Sequence, residues 1–156
     1  EEFKDDDQFH FLFIGEGTEY RNIESWIHKK AVTNINLLPA VSDLDYQSIL
    51  KECDIGIISL RRSFRTDNFP NKIMNYMEYE LPILASINPN NELSELIEKT
   101  RIGLVSENGD DEELRNNTLM LLKDPKLRAE MGSRGAKLLR EQFNVKSAVS
   151  KIINNF

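Results

Sequence analysis

The chain has 156 residues, 26 acidic against 20 basic, a formal charge of -6 and one cysteine, Cys53. A chain of this size suits a single domain that buries about 70% of the surface its unfolded form exposes. The acidity argues against a general nucleic-acid binder, which needs a basic surface to displace counterions, and the lone cysteine excludes an internal disulfide framework or a Cys-rich zinc cluster.

No secretory leader is visible, and no apolar run reaches the ~18 residues of a membrane span, so the chain reads as cytosolic. Phe9 and Phe11 to Ile14 form a nearly continuous apolar run ended by Gly15, as in a strand covered on both faces. Glu19 to Lys30 reads as a helix with Ile23, Trp26 and Ile27 on one side. Ile35 to Leu38 is the next strand, and Ser42 followed by Asp45 is an N-cap signal for a helix carrying Leu44, Ile49 and Leu50. Cys53 is expected to be a small buried apolar residue. Asp54 to Leu60 is the third strand, a further helix starts between Asn68 and Asn71, and Pro82 to Ile87 is again a strand. Leu93 to Lys99 reads as helical and Ile102 to Ser106 as extended, and the alternation implies a parallel α/β sheet flanked by helices.

From Asp110 onward the pattern is helical, with Gly132 and Gly135 weakening the segment after Pro125. In residues 145–156, Val145, Ala148, Val149, Ile152, Ile153 and Phe156 fall at helical spacing, an amphipathic stripe that needs something to lie against.

The segment between the third strand and the next helix stands out chemically. Residues 61–72 hold Arg61, Arg62, Arg65 and Lys72 against Asp67, a local excess of three positive charges in an acidic protein. Such a segment leaves the carboxyl end of a strand, where ligands of open α/β sheets sit. Pro70 is tolerated in a first helical turn because its missing N–H has no intrahelical partner there. The free amides of that turn favour an anion by about 0.3 to 1 kcal/mol. With a Debye length of about 8 Å, this cluster outweighs the distant net charge for a bound phosphate. The alternative is that the arginines pair with surface acids, each pair worth about 0 to 1 kcal/mol. His10 and His28 lack any metal-ligand spacing, and Tyr76 and Tyr79 fit core packing. No Ser-His-Asp order, Walker lysine motif or metal-binding carboxylate cluster is present.

The run "FPNKIMNYMEYELPIL" after "CDIGIISL" resembles the C-terminal nucleotide-binding domain of family 4 glycosyltransferases of the GT-B fold, in particular bacterial L-fucosamine transferases of surface-polysaccharide assembly. "FLFIGEGTEY", "NINLLPAVS" and "DDEELRNNTLMLLKDPKLRAEMGSRGAKLLREQF" extend the resemblance over nearly the whole chain. It implies a Rossmann-like fold with a helical C-terminal extension. Amides near Asn71 and Lys72 would hold the donor's diphosphate, with Arg61, Arg65, Pro70 and the Lys72 ammonium around it. The carboxylate that binds the donor ribose in the family falls on Asn75, and the acid that faces the transferred sugar falls on Asp67. An amide has one acceptor oxygen where a carboxylate can serve both vicinal hydroxyls, so ribose contact should weaken, with Glu78 three residues on as a substitute. Gly15 and Gly17 would let a ligand or another domain approach the backbone, or simply end a strand. Where the family has Gly-Lys before the next strand this chain has Glu80-Leu81, a less comfortable left-handed helix end.

The resemblance further implies transfer from a nucleotide diphosphate donor, UDP-linked, with retention of configuration and with neither metal nor cofactor. A two-domain enzyme is expected, of which residues 1–156 supply the donor half, without the family's first strand and without the N-terminal acceptor domain. The 145–156 helix would then fold back or mediate dimerisation, and a lipid-linked acceptor would bring the protein to the inner face of the membrane. Two other readings share the fold: half of a sugar-nucleotide 2-epimerase, and a non-catalytic interaction module.

Overall fold

The computed structural model describes residues 3–4, 6–60, 70–89 and 91–143, so the basic segment 61–69 and the expected helix 145–156 lie outside the described residues. The chain divides into two compact units, Glu1–Ile49 and Leu50–Phe156.

In the first unit, β1 (Phe11–Ile14) and β2 (Ile35–Leu38) pair in parallel, Phe11 opposite Ile35 and Ile14 opposite Leu38, with α1 (Tyr20–Lys30) as the crossover. The buried Asn34 amide ties the segment before β1 to this pair, donating to the carbonyls of Phe3 at 2.6 Å and Asp6 at 3.1 Å. Phe3, Phe9 and Phe11 cluster, the Phe9 ring tilted against Phe3 at 4.3 Å and parallel to Phe11 at 6.1 Å between centroids. The expectation that β1 is covered on both faces is not met: Phe13 is 44% exposed. Among the described residues the sheet here has two strands, and α1 buries none of its residues fully, leaving Ile23 and Trp26 exposed. Helix α2 (Asp43–Glu52) starts where the sequence signals it. The Ser42 hydroxyl donates to the Asp45 carboxylate at 2.7 Å and accepts the Asp45 amide at 3.2 Å, supplying one of the helix's orphan donors with an acceptor.

The second unit holds a three-stranded parallel sheet in the order β3 (Gly56–Ser59), β4 (Ile83–Ile87), β5 (Gly103–Glu107). Its helices are α3 (Lys72–Glu78), α4 (Glu92–Thr100), α5 (Asp111–Lys123) and α6 (Pro125–Gln142). The central strand β4 is buried on both faces. Ile83, Ala85 and Ile87 meet Ile73 and Met77 of α3, Leu93 and Ile97 of α4, and Leu138 of α6, whereas Leu84 packs with Leu121 of α5 and Met131 of α6. Each such side chain contributes about 1.5 to 3 kcal/mol by leaving water, so this unit's core carries most of the apolar burial. Asn91, Asp110 and Asp124 cap α4, α5 and α6 by accepting the amides of Leu93, Glu113 and Leu127 at 2.9, 2.8 and 2.9 Å. Pro125 occupies the first turn of α6, where it sacrifices no bond.

Two expectations need correction here. Gly132 and Gly135 do not interrupt α6, which runs unbroken for 18 residues. They are where it touches α3: a Cβ at Gly132 would lie 1.8 Å from the Glu80 carbonyl oxygen, and one at Gly135 3.3 Å from Met77 Cγ. Cys53 is half-buried rather than buried, and desolvation, followed by the charges of Asp54 and Glu52, pushes its thiol pKa up.

Candidate functional site

The site expected from sequence centres on the start of α3. In a parallel sheet the helix after β3 begins at the strands' carboxyl edge, which positions its first amides there. Asn71 is the N-cap residue, with φ -54 and ψ -29, and its side chain makes no cap hydrogen bond. The amides of Ile73 and Met74 bond back to the carbonyls of Pro70 and Asn71, both at 3.0 Å. Among the described residues the amides of Asn71 and Lys72 have no acceptor. No side chain among the described residues accepts from this end of α3.

Lys72 and Asn75 stand one turn apart on α3, on the flank away from the buried Ile73 and Met77. Lys72 is half-buried, and among the described residues no carboxylate pairs with it. Desolvation holds its ammonium below the usual lysine range. A partly dehydrated cation without a counter-charge, beside two unpaired amides, is the arrangement an anion would satisfy. Asn75 is half-buried, and its carbonyl accepts the Tyr79 amide at 3.0 Å. Glu78 is exposed and lies about a third of a turn round the helix from Lys72. Pro70, Asn71, Lys72, Asn75 and Glu78 thus share one short stretch, while Arg61, Arg62, Arg65 and Asp67 lie outside the described residues. Gly15 and Gly17 belong to the first unit, with φ of 148° and 159°, and a Cβ on either would meet nothing within 4 Å. Those dihedrals require glycine even though the space does not.

Helix α3 ends as sequence suggested, in a left-handed residue that is not glycine. Glu80 has φ 55°, its amide reaches the Met77 carbonyl at 3.3 Å, and the Leu81 amide reaches the Tyr76 carbonyl at 2.8 Å. Together these form a Schellman motif built on glutamate. Tyr76, assigned to core packing, also seats its ring against Gly56, and its hydroxyl donates to the Ile57 carbonyl at 3.1 Å.

Sequence reasoning passed over Asn108, which follows β5. Its amide extends the β4–β5 ladder by donating to Ile87 O at 2.9 Å, and its side chain donates to Leu60 O just past β3. The Asn-Gly pair at 108–109 reads as a turn signal in the sequence and no more. A cavity of about 350 Å³ lies nearby, lined by Ile87, Ser94, Glu95, Glu98, Glu107 and Glu113 among others. Its carboxylates would repel a phosphate, so the cavity does not compete with α3 for that role. No group of three or more His, Cys, Asp or Glu side chains suited to a metal ion occurs among the described residues.

Comparison with known proteins identifies the family. The glycosyl transferases group 1 profile matches residues 1–138. The chain belongs to this family. Among curated relatives of these glycosyl transferases, an uncharacterized glycosyltransferase of Methanocaldococcus jannaschii is 25% identical over 130 residues, covering 83% of this chain and 35% of that protein. Among solved structures, a TarM mutant of S. aureus in complex with fondaparinux, alpha-GlcNAc-glycerol and UDP superposes with a TM-score of 0.74 at 21% identity, over 93% of this chain and 28% of that one. WaaG, a glycosyltransferase involved in lipopolysaccharide biosynthesis, gives a TM-score of 0.68 at 15% identity, over 85% of this chain and 34% of that one. These likenesses establish the α/β, Rossmann-like GT-B fold, and the chain spans about a third of the length of the relatives it matches. No helix among the described residues is long and apolar enough to cross a membrane.

Proposed function

We propose that this chain is the donor-binding half of a retaining glycosyltransferase that acts in bacterial polysaccharide or lipopolysaccharide biosynthesis and takes a UDP-linked sugar. The observation that carries the reading is Lys72: half-buried, and, among the described residues, without a counter-charge and next to two α3 amides that have no acceptor. The diphosphate sits on the amides of Asn71 and Lys72 and on the Lys72 ammonium. Arg61 and Arg65 add charge, and Asp67 faces the transferred sugar. These groups stabilise the charge that develops on the departing diphosphate, which is how such a site lowers a barrier without a metal. Asn75 takes one ribose hydroxyl, with Glu78 as the second acceptor, and the left-handed Gly15 and Gly17 allow close backbone approach from a ligand or another domain.

The family members similar to L-fucosamine transferases suggest a hexosyl or aminosugar donor. The acceptor domain, which the reaction requires, comes from outside these 156 residues, so the chain by itself binds nucleotide weakly and turns nothing over. The amide of Gly56, at the start of β3, donates to Pro82 O and that of Leu60, just past its end, to Ser86 O, so the peptide groups of Ile57 and Ser59 face the other edge, where the Ile57 carbonyl accepts the Tyr76 hydroxyl and no strand pairs among the described residues. That edge takes the further parallel strand the resemblance implies. The apolar stripe that the sequence carries over residues 145–156 would fold back or serve as a dimer contact, and a lipid-linked acceptor would draw the enzyme to the inner membrane face.

Calorimetry of the chain with UDP, and with GDP for comparison, tests this reading together with Asn75→Glu. Restoring a carboxylate should tighten UDP binding several-fold, because it accepts from both ribose hydroxyls. Absence of binding at millimolar UDP in both proteins would favour a non-catalytic interaction module instead.

A further inference from the structure

The carboxyl edge of the three-stranded sheet is held by one side chain that crosses it. Asn108 lies between β5 and α5, in a turn closed by the Asp110 amide on Glu107 O at 2.9 Å and made possible by Gly109 at φ 101°. Its backbone amide prolongs the bonding of β5 to β4 at Ile87 O, an ordinary ladder step. Its side-chain amide does something the ladder does not: it passes the end of β4 and donates to Leu60 O at the end of β3, 48 residues away. Leu60 also donates its own amide to Ser86 O at 3.1 Å, so it is fixed from both sides. Both partners are part-buried, where a hydrogen bond is shielded from competing water.

Leu60 is the residue from which the chain departs toward Pro70 and Lys72. Leu60 ends the stretch on which α3 rests, since Ile58 shares a core cluster with Ile73 and Met77, Leu60 packs against that cluster, and the Tyr76 hydroxyl donates to Ile57 O, so a shift of this strand end is passed directly to the cation and amides of α3. Resting on the donor-site reading above, we infer that Asn108 is a positioning residue for nucleotide binding: it fixes the end of β3 so that Lys72 and its neighbouring amides are presented together. Its side chain touches no ligand and acts only through Leu60. The task requires a donor of this reach, because the acceptor is a backbone carbonyl; a carboxylate of the same shape would repel it.

The test is UDP titration of the full chain and its variants by calorimetry, at a temperature where all are folded by circular dichroism. Asn108→Ala and the isosteric Asn108→Asp are both expected to raise the UDP dissociation constant about three- to ten-fold, the usual size of one lost hydrogen bond acting at a distance. Asn108→Gln, which keeps the donor on a longer stem, should recover part of that loss whatever its melting temperature. Lys72→Met separates the two ideas. If it weakens UDP binding while the Asn108 variants bind as wild type, the positioning role is wrong and the site stands. If Lys72→Met has no effect, the site itself is misplaced. If affinity in the Asn108 series follows melting temperature rather than the presence of a donor, the residue is structural and the inference fails.

Discussion

Replacing Glu80 by glycine should stabilise the protein, and the reason lies in the backbone alone. Glu80 sits at φ 55°, the left-handed region, closing the Schellman motif of α3. That conformation costs a non-glycine residue about 1 to 2 kcal/mol. The backbone has little room to relax, because its carbonyl lies against Gly132 of α6. Glycine removes this strain but has more freedom to lose on folding, which offsets about 0.5 to 1 kcal/mol. The net expectation for Glu80→Gly is a gain of about 0.5 to 1 kcal/mol, a rise in melting temperature of roughly 1 to 4 °C for a chain of this size. Urea denaturation with an unchanged m-value is the assay, since an altered slope would signal a different unfolded state. Glu80→Ala is the control: it removes the exposed carboxylate but keeps Cβ and therefore the strain. If alanine stabilised as much as glycine, the gain would come from charge and the backbone argument would be refuted. Arg101, at φ 53°, ends α4 in the same way, its amide on Glu98 O and the Ile102 amide on Ile97 O, so Arg101→Gly should behave alike.

Other expectations concern packing and titration. Gly132→Ala must displace the Glu80 backbone, since its Cβ would fall 1.8 Å from that carbonyl, and should cost about 3 kcal/mol or more in the same urea assay. Gly135→Ala meets the flexible Met77 side chain at 3.3 Å, with the Met77 Cα no nearer than 3.7 Å, and should cost under about 1 kcal/mol. Because burial lowers the Lys72 pKa, the unfolded chain holds that proton to higher pH than the native one. The cost of the buried charge is thus fully present below the folded pKa and is relieved as pH rises toward the unfolded value of about 10.4. The stability difference between wild type and Lys72→Met, followed by denaturation against pH, should therefore shrink across that window. UDP affinity should fall in the same alkaline range, earlier than an ordinary lysine would dictate.

Much of the architecture was legible because the strands of this chain are short apolar runs separated by strong punctuation. Ser42 with Asp45, Pro125, and the "DIGIISL" run each announce their element, and the structure puts an element at every one. Burial was less legible. Phe13 and Trp26 look like core residues, yet their exposure depends on how many strands and helices share their unit, which no local pattern encodes. Gly132 and Gly135 misled for a related reason: helix propensity marks them as weak points, while the contact that needs them lies on α3, more than fifty residues earlier. In the candidate site, the motif placed Lys72 and Asn75 on the helix after the third strand, where the structure has them. Asn108 was not, because its role is a single long-range bond to a backbone carbonyl, and a carbonyl leaves no trace in the sequence.

The most direct measurement is the UDP affinity of the full chain beside that of Lys72→Met, by calorimetry at neutral pH and two salt concentrations. A diphosphate held by the Lys72 ammonium and the open amides of α3 predicts measurable binding by wild type, weaker in high salt, and a loss of tenfold or more, about 1.4 kcal/mol, in the variant. Equal affinity of the two proteins, or wild-type binding indifferent to salt, would contradict it.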